Sequence, residues 1–219
     1  MFPVSDVIPS RTVPVVTVGL IAVNAVVFLY QVTLGPEQLR LFMASYALIP
    51  AWFWWPALVT SQFLHAGWMH IIWNMVYLWI FGDNVEDRLG HVPFLIFYLG
   101  AGAAAALLQV LFNPFSGIPM VGASGAIAGV MGAYFVLYPQ SRVLTAIFIF
   151  FFFDLVEIPA LFFLGFWFLM QLLSGVGSLG ASNAAAGGTA FWAHVGGFVV
   201  GAAIGLVLRM RDRRQWRYR

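Results

Sequence analysis

Long apolar runs without charge limit what this 219-residue chain can fold into. Residues 13–32, for instance, contain no Asp, Glu, Lys or Arg. About 20 apolar residues in a helix cross the hydrocarbon core of a bilayer. Only 8% of the whole chain is charged, whereas a soluble domain has about 25% charged residues. The runs therefore predict an all-α, multi-span membrane protein.

Six segments are predicted to span the membrane, namely 13–32, 65–81, 92–112, 120–138, 157–173 and 190–208. The stretch 142–173 is too long for one span, since its 32 residues would rise about 48 Å as a helix. Asp154 and Glu157 interrupt it, so we expect residues 142–153 to lie along the membrane surface. Residues 174–189 are rich in Gly, Ala and Ser, which predicts a flexible loop.

The predicted fold is therefore a six-transmembrane-helix bundle with three parts. Residues 1–12 form a short N-terminus, residues 13–208 form the membrane domain, and residues 209–219 form a basic tail. With six spans both termini share one side, and that side would carry nine of the ten arginines, all but Arg40. Basic residues favour the cytoplasmic side of membrane proteins. Both termini are therefore predicted to be cytoplasmic.

The charge pattern also indicates the partners. The net charge of +2 comes from the tail, where basic residues after a span are typical of contact with anionic lipid. We expect the lipid bilayer as a partner and no nucleic acid. The absence of cysteine excludes disulfides and thiol catalysis. Nothing in the sequence predicts a cofactor.

Polar side chains converge at one end of the even-numbered spans. His65, His70 and Asn74 lie in the outer half of span two, Ser124 at the outer end of span four, and His194 at the outer end of span six. Spans four and six also carry stripes of small residues, which let helices approach closely. A serine and a histidine brought together in this way suggest a nucleophile and its base.

Two alternative functions of these polar groups have weaker support from the sequence. A metal site built on the histidines is disfavoured because His65 and His70 are five residues apart and do not share a helix face, and no carboxylate falls in that half of the spans. A small transporter is the second alternative. It would place charged residues or broken helices inside the spans, and the predicted spans have no charge well inside them.

Taken together, four short motifs resemble those of the rhomboid family of intramembrane serine proteases. They are Gly122-Ala123-Ser124-Gly125, Ala193-His194, His70-Ile71-Ile72-Trp73-Asn74 and Glu86-Asp87-Arg88-Leu89-Gly90. Each motif alone is weak, but their order and their common side are specific. The resemblance covers roughly residues 13–208.

The resemblance implies a serine endopeptidase that cuts single-pass transmembrane proteins near the outer face of the membrane. It implies Ser124 as nucleophile and His194 as general base and acid, with His70, Asn74 and the Ser124 backbone N–H stabilising the oxyanion. His65 is expected to pin a loop or organise water without a catalytic role, and Glu86 and Arg88 are expected to tie the inner end of span two. We expect a multi-pass protein of the bacterial inner membrane whose active site faces away from the cytoplasm. An inactive rhomboid-like membrane binding protein remains an alternative.

Two departures from the family pattern bear on the site. The first loop has Trp55-Pro56 where many members have a Trp-Arg pair, so its anchoring is open. Ala128 stands where some members place a tyrosine beneath the catalytic histidine. The packing under His194 must therefore come from elsewhere.

The acidic residues predict a dyad instead of a triad. All carboxylates except Glu37 fall on the inner side, about 30 Å of hydrocarbon away from the site. The His194 ring is then oriented by packing, a neutral hydrogen bond or water. Substrate is expected to enter laterally between spans two and five, because span five offers a bulky, easily separated face formed by Phe162, Phe163, Phe166 and Trp167.

Overall fold

The computed structural model describes residues 2–149, 152–178 and 190–217, and most of them are helical. In chain order the helices are α1 (Val15–Thr33), α2 (Pro36–Tyr46), α3 (Ala57–Thr60), α4 (Trp68–Leu89), α5 (His91–Phe112), α6 (Ser124–Leu137), α7 (Ala160–Ser178) and α8 (Phe191–Arg217). A 3-10 turn lies on each side of α3, at Pro50–Trp52 and Ser61–Phe63. The strands are β1 (Phe2–Asp6), β2 (Arg142–Ile149) and β3 (Phe152–Pro159).

A helix lies in each of the six segments predicted to span the membrane. Four of these helices are long and apolar enough to cross a bilayer, namely α1, α5, α7 and the part of α8 that ends at Asp212. The apolar helix α6 is shorter, since it begins only at Ser124. Helix α4 continues past the predicted span to Leu89 and takes up the charged residues after Gly82.

The segment expected along the membrane surface belongs to a β-hairpin, so the all-α prediction is wrong here, whereas the place of this segment at the membrane surface stays a prediction. Strands β2 and β3 pair antiparallel from Arg142↔Pro159 to Ile149↔Phe152. Their residues are largely β-branched and aromatic, which suits a pleated surface. The expected loop at 174–189 is helical as far as Ser178, and 179–189 lie outside the described residues.

The N-terminal segment adds a third strand to this hairpin. Strand β1 pairs antiparallel with β2, from Phe2↔Ala146 to Asp6↔Val143, with a register shift between Pro3 and Ser5. Strand β1 packs on α4, whereas β2 and β3 pack on α7. The sheet therefore lies between α4 and α7.

Helices α6 and α8 form the closest contact in the molecule. A Cβ atom added at Gly197 would overlap the carbonyl of Gly125, and one at Gly201 would overlap the carbonyl of Gly129. A Cβ at Gly132 would overlap the backbone at Phe198 in the same way. The two helices thus touch backbone to backbone, as the stripes of small residues predicted.

The far end of α4 is tied to its neighbours by buried polar contacts. The fully buried Glu86 carboxylate accepts hydrogen bonds from the N–H groups of Val16 (2.9 Å) and Thr17 (2.7 Å) and from the Thr17 hydroxyl (2.7 Å). It thereby satisfies free donors at the start of α1. Arg88 pairs with Asp212 of α8. The predicted structural roles of Glu86 and Arg88 are confirmed.

Candidate active site

Ser124 and His194 meet at the α6–α8 contact. Ser124 is the first residue of α6, and His194 lies in the first turn of α8. His194 Nε2 is 2.8 Å from Ser124 Oγ, a hydrogen-bonding distance. The structure therefore brings together the two residues that the sequence singled out.

The other nitrogen of the imidazole is held by Gln171 of α7, a residue that the sequence analysis did not single out. Gln171 Oε1 lies 2.8 Å from His194 Nδ1. Because an amide oxygen can only accept, the proton sits on Nδ1 and leaves Nε2 free to accept from the serine hydroxyl. A glutamine in an apolar span should have been a signal, since polar groups there need a partner.

Gln171 is a neutral hydrogen-bond partner, which is one of the three ways in which the His194 ring was expected to be oriented. Glu37, the carboxylate predicted nearest the site, pairs instead with Arg40 on the exposed surface of α2. The hydrogen-bond partners of the His194 ring among the described residues are Ser124 and Gln171. Neither of them is an acid.

Trp167 provides the packing that Ala128 does not. Its ring lies 5.7 Å from the His194 ring, centroid to centroid, and 6.2 Å from that of Phe198. Phe163, one turn earlier on α7, packs against the core as well. Only Phe162 and Phe166 are exposed. The expectation of one loose four-ring face on this helix is therefore wrong, because Phe163 and Trp167 point inward.

His70 and Asn74, one turn apart on α4, approach the serine through Gly122. This glycine has a φ of +118°, which favours glycine. A Cβ atom there would lie 2.7 Å from His70 Nε2 and 3.6 Å from Asn74 Nδ2. Glycine at position 122 therefore allows the positive φ and also leaves room for the side chains of His70 and Asn74.

Both α4 side chains present donors at this point. Asn74 Nδ2 is buried and has no hydrogen-bond partner among the described residues. His70 Nδ1 accepts the Ala66 N–H at 3.4 Å, which places the ring proton on Nε2. Ser124, as the first residue of its helix, has a backbone N–H with no acceptor in the preceding turn. Three N–H donors are thus available around the serine.

A cavity of about 660 Å³ opens onto these residues. Its wall includes Ser124, His194, His70, Asn74 and Trp167, and also Phe2 of β1. A volume of this size accommodates an extended peptide segment or a small ligand. The N-terminal strand thus reaches the same space as the serine.

His65 lies just before α4, and its role is structural. Gln31 of α1 donates from Nε2 to the His65 carbonyl and accepts the His65 N–H at Oε1, both at 3.1 Å. The His65 ring packs edge-on against Phe28 and His70. The hydrogen bonds that hold this loop are made by the His65 backbone, so a role of the His65 side chain in pinning the loop or organising water stays a prediction.

The first loop is anchored by backbone hydrogen bonds. Leu48 and Met120 exchange two N–H···O bonds of 3.1 and 2.7 Å, and the Gly122 N–H donates to the Ser61 carbonyl at 2.9 Å. The loop is therefore joined directly to the strand-like segment that leads into Ser124. These backbone hydrogen bonds hold the loop, which has Pro56 in place of the arginine of the Trp-Arg pair.

Comparison with known proteins gives matches to one family. The family model described as "Rhomboid domain" matches residues 51–211. The chain is 31% identical to "RHOMBOID-like protein 6, mitochondrial" of Arabidopsis thaliana, over 73% of this chain and 45% of that protein. It is 32% identical to "Rhomboid protease GluP" of Bacillus subtilis, over 70% of this chain and 26% of the relative.

A further relative is "Presenilin-associated rhomboid-like protein, mitochondrial" of Mus musculus, 33% identical over 57% of this chain and 33% of that protein. The chain spans less than half of the length of each of these relatives. The fold and these matches define a class of integral membrane proteins with a rhomboid domain. This chain belongs to the rhomboid family.

Proposed function

We propose that this protein is an intramembrane serine endopeptidase that cuts transmembrane segments of single-pass membrane proteins. The observation that carries the proposal is the 2.8 Å contact between Ser124 Oγ and His194 Nε2, with Gln171 fixing the tautomer in which Nε2 is a base. A serine used only for helix packing would not need an oriented imidazole.

The reaction begins when the Ser124 oxygen attacks the carbonyl carbon of the scissile peptide bond. The hydroxyl proton passes to His194 Nε2, and the carbonyl oxygen becomes negative. The N–H donors of His70, Asn74 and the Ser124 backbone face this oxygen and lower the barrier. The Asn74 amide supports that role, because it lies on the wall of the Ser124 cavity and its buried Nδ2 has no hydrogen-bond partner among the described residues.

The tetrahedral intermediate then collapses. The C–N bond breaks, and the proton on His194 Nε2 moves to the leaving amine, leaving an ester on Ser124. Water attacks the ester, gives its proton to Nε2, and releases the new carboxylic acid as the serine recovers its proton. Gln171 keeps its hydrogen bond to Nδ1–H throughout, so a neutral amide holds the ring in one orientation.

The arrangement in the membrane is part of the proposal. We place six helices across the bilayer, both termini in the cytoplasm, and the serine toward the outer side of a bacterial inner membrane. The arginines support this orientation, since Arg11, Arg88 and Arg142 all fall at the end of the bundle opposite Ser124. The bilayer itself is the surrounding partner.

Substrate reaches the serine laterally between α4 and α7 in this proposal. Helix α7 packs on α6 and α8, and α4 packs on α1, α5 and α6, whereas the sheet lies between α4 and α7. A helix that faces a small sheet on one side is easier to move aside than one locked between other helices. The scissile segment must unwind to reach Ser124, so small residues and weak helix formers are the expected preference.

The test is incubation of the purified protein in liposomes with a panel of single-span peptides, with products identified by mass spectrometry. Wild type should cut at least one peptide, and Ser124→Ala and His194→Ala should cut none. A fluorophosphonate probe should label wild type and leave Ser124→Ala unlabelled. Equal cleavage by wild type and Ser124→Ala would refute the proposal. A protein that binds peptides but neither labels nor cuts would be the inactive membrane binding protein.

A further inference from the structure

The N-terminal strand β1 extends to the edge of the active-site cavity. The Phe2 ring stacks on Trp73 of α4, with centroids 4.8 Å apart and planes at 13°. Trp73 precedes Asn74, and Phe2 lines the same cavity as Ser124 and His194. The start of β1 therefore lies at the wall of that cavity.

Strand β1 also fills the space through which a substrate would pass. One of its edges pairs with β2, and the strand packs against α4. The hairpin that it completes packs against α7. With β1 in place, the route between α4 and α7 is occupied by an extended segment of the protein itself.

Side-chain hydrogen bonds fasten the strand to α4 and α6 at its Asp6 end. At the Asp6 end, the carboxylate accepts from the Tyr134 hydroxyl (2.5 Å) and from Asn84 (3.1 Å). The segment that follows is tied to α4, where the N–H groups of Arg11 and Thr12 donate to Asp87 at 2.5 and 3.0 Å. The segment from Phe2 to Ser5 is held by the pairing with β2 and by the Trp73 stack.

The pairing of β1 with β2 is also irregular near the Phe2 end of β1. The register shift between Pro3 and Ser5 marks a bulge, which locally disrupts the ladder. Pro3 has no N–H to donate to β2. The strand can therefore separate from β2 at its Phe2 end while residues 10–12 keep it attached to α4.

We propose that β1 is a displaceable latch in the lateral opening, and that the extended segment of a transmembrane substrate replaces it along the edge of β2. The proposal rests on the proposed function, because it names how the substrate of that site is bound. The partner is an unwound, apolar segment of a single-pass membrane protein.

The exchange is favourable to both chains for the same physical reason. An unwound segment in hydrocarbon leaves its N–H and C=O groups without partners, at several kcal/mol each. The edge of β2, once β1 has left, has the same deficit. Pairing the substrate with β2 satisfies both sets of groups, as in other complexes formed by strand addition. Strand β3 exposes Leu155 and Val156 together with the charged Asp154 and Glu157, which suits a sheet at the boundary between lipid and water.

Engineered disulfides can test the latch, since the chain has no cysteine of its own. Ser5 and Leu144 are direct partners in the β1–β2 ladder, and antiparallel partners lie about 4.5–5.5 Å apart, within reach of a disulfide. The double variant Ser5→Cys/Leu144→Cys fixes β1 on β2. Its matched control, Ile147→Cys/Asp154→Cys, joins partners within the hairpin and leaves β1 free.

The first arm measures binding without cleavage, in the Ser124→Ala background in liposomes. A saturating single-span peptide with a helix-breaking segment should lower the yield of the 5–144 disulfide at least threefold and leave the 147–154 yield unchanged. An unchanged 5–144 yield in the presence of bound peptide would overturn the proposal and make β1 a permanent wall. So would an equal decrease caused by a soluble unstructured peptide.

The second arm measures cleavage with Ser124 intact. Oxidation of the 5–144 pair should slow cleavage of the single-span peptide at least tenfold, and reductant should restore it. Fluorophosphonate labelling of Ser124 should persist, because a small probe does not need the lateral route. Full cleavage by the oxidised protein would refute the latch. Failure of wild type to label or cut would refute the protease, whereas the binding arm would still decide the latch.

Discussion

The α6–α8 contact and the α4–α7 side of the bundle are built in opposite ways. Between α6 and α8, Gly132, Gly197 and Gly201 leave no room for a single added carbon atom. Between α4 and α7, a sheet with a bulged outer strand occupies the space. The first region holds Ser124 and His194, the proposed nucleophile and base, and the second is the proposed path to them. One small bundle would thereby combine a fixed site with a movable wall.

The largest effect is expected from disturbing the fixed contact. Gly201→Ala places a methyl group on the Gly129 carbonyl, so the helices must separate, at a cost of about 1–3 kcal/mol or more. Cleavage should fall at least a hundredfold, and the melting temperature should drop. Gly100→Ala is the matched control, since nothing lies within 4 Å of a Cβ there. A Gly201→Ala protein that is as stable and active as Gly100→Ala would show that the contact is not rigid.

The next largest effect is expected from Gln171, which lies on α7, one of the two helices beside the proposed substrate path. Gln171→Leu removes the acceptor for His194 Nδ1–H, and kcat should fall about tenfold to a hundredfold, less than in a triad that loses a charged partner. KM and the melting temperature should be unchanged. Kinetics with a single-span peptide and thermal unfolding in the same detergent measure these quantities.

The conservative variant separates orientation from packing. Gln171→Glu keeps an acceptor oxygen, so it should recover most of the lost rate. Its activity should also require a higher pH than that of wild type, because an anion beside the ring stabilises the protonated imidazolium. If Gln171→Leu and Gln171→Glu have the same rate and pH profile, Gln171 only fills space.

Two aromatic residues of α7 distinguish its inner face from its outer one. Trp167→Ala removes the ring beside His194 and should lower cleavage about threefold to tenfold, in line with a loss of about 1 kcal/mol from ring packing. Phe162→Ala removes an exposed ring and should leave the rate the same or higher. Peptide cleavage by the two variants, at matched protein stability, measures the difference. Equal rates would mean that the imidazole does not depend on Trp167.

The sequence predicted the fixed region far better than the movable one. Spans four and six can be recognised from the local sequence, namely from its apolar composition, the spacing of its glycines and the placement of Ser124 and His194. The pairing of β1 with β2 joins residues about 140 positions apart in the chain, and no local pattern encodes it. An apolar run such as 142–153 is also compatible with either a helix or a strand. Gln171 was not predicted as a site residue, because a single amide in an apolar span forms no periodic pattern.

The smallest effect concerns the fastening of β1 and depends on pH. Burial and, to a smaller extent, the nearby Asp83 outweigh the lowering effect of the hydrogen bond from Tyr134, and together these effects raise the pKa of Asp6 from 3.8 to about 6. The other groups that face Asp6 are neutral, namely Asn84 on α4 and Ser141, which shares the Tyr134 hydroxyl. Because the docked state holds the proton more tightly, docking is strongest below pH 3.8 and weakens as the pH rises through 6.

Asp6→Asn should remove this dependence, since an amide oxygen still accepts from Tyr134 and Asn84 but carries no charge. The yield of the 5–144 disulfide, normalised to that of the 147–154 pair, should fall between pH 5 and 7.5 with Asp6 and stay level with Asn. Asp6 is partly exposed, so we expect a decrease of about twofold to fivefold, reduced by solvent screening. Normalisation to the second pair removes the pH dependence of thiol oxidation itself. Parallel curves for the two proteins would show that β1 is fastened by its pairing with β2 and by the Trp73 stack, and that Asp6 does not control its release.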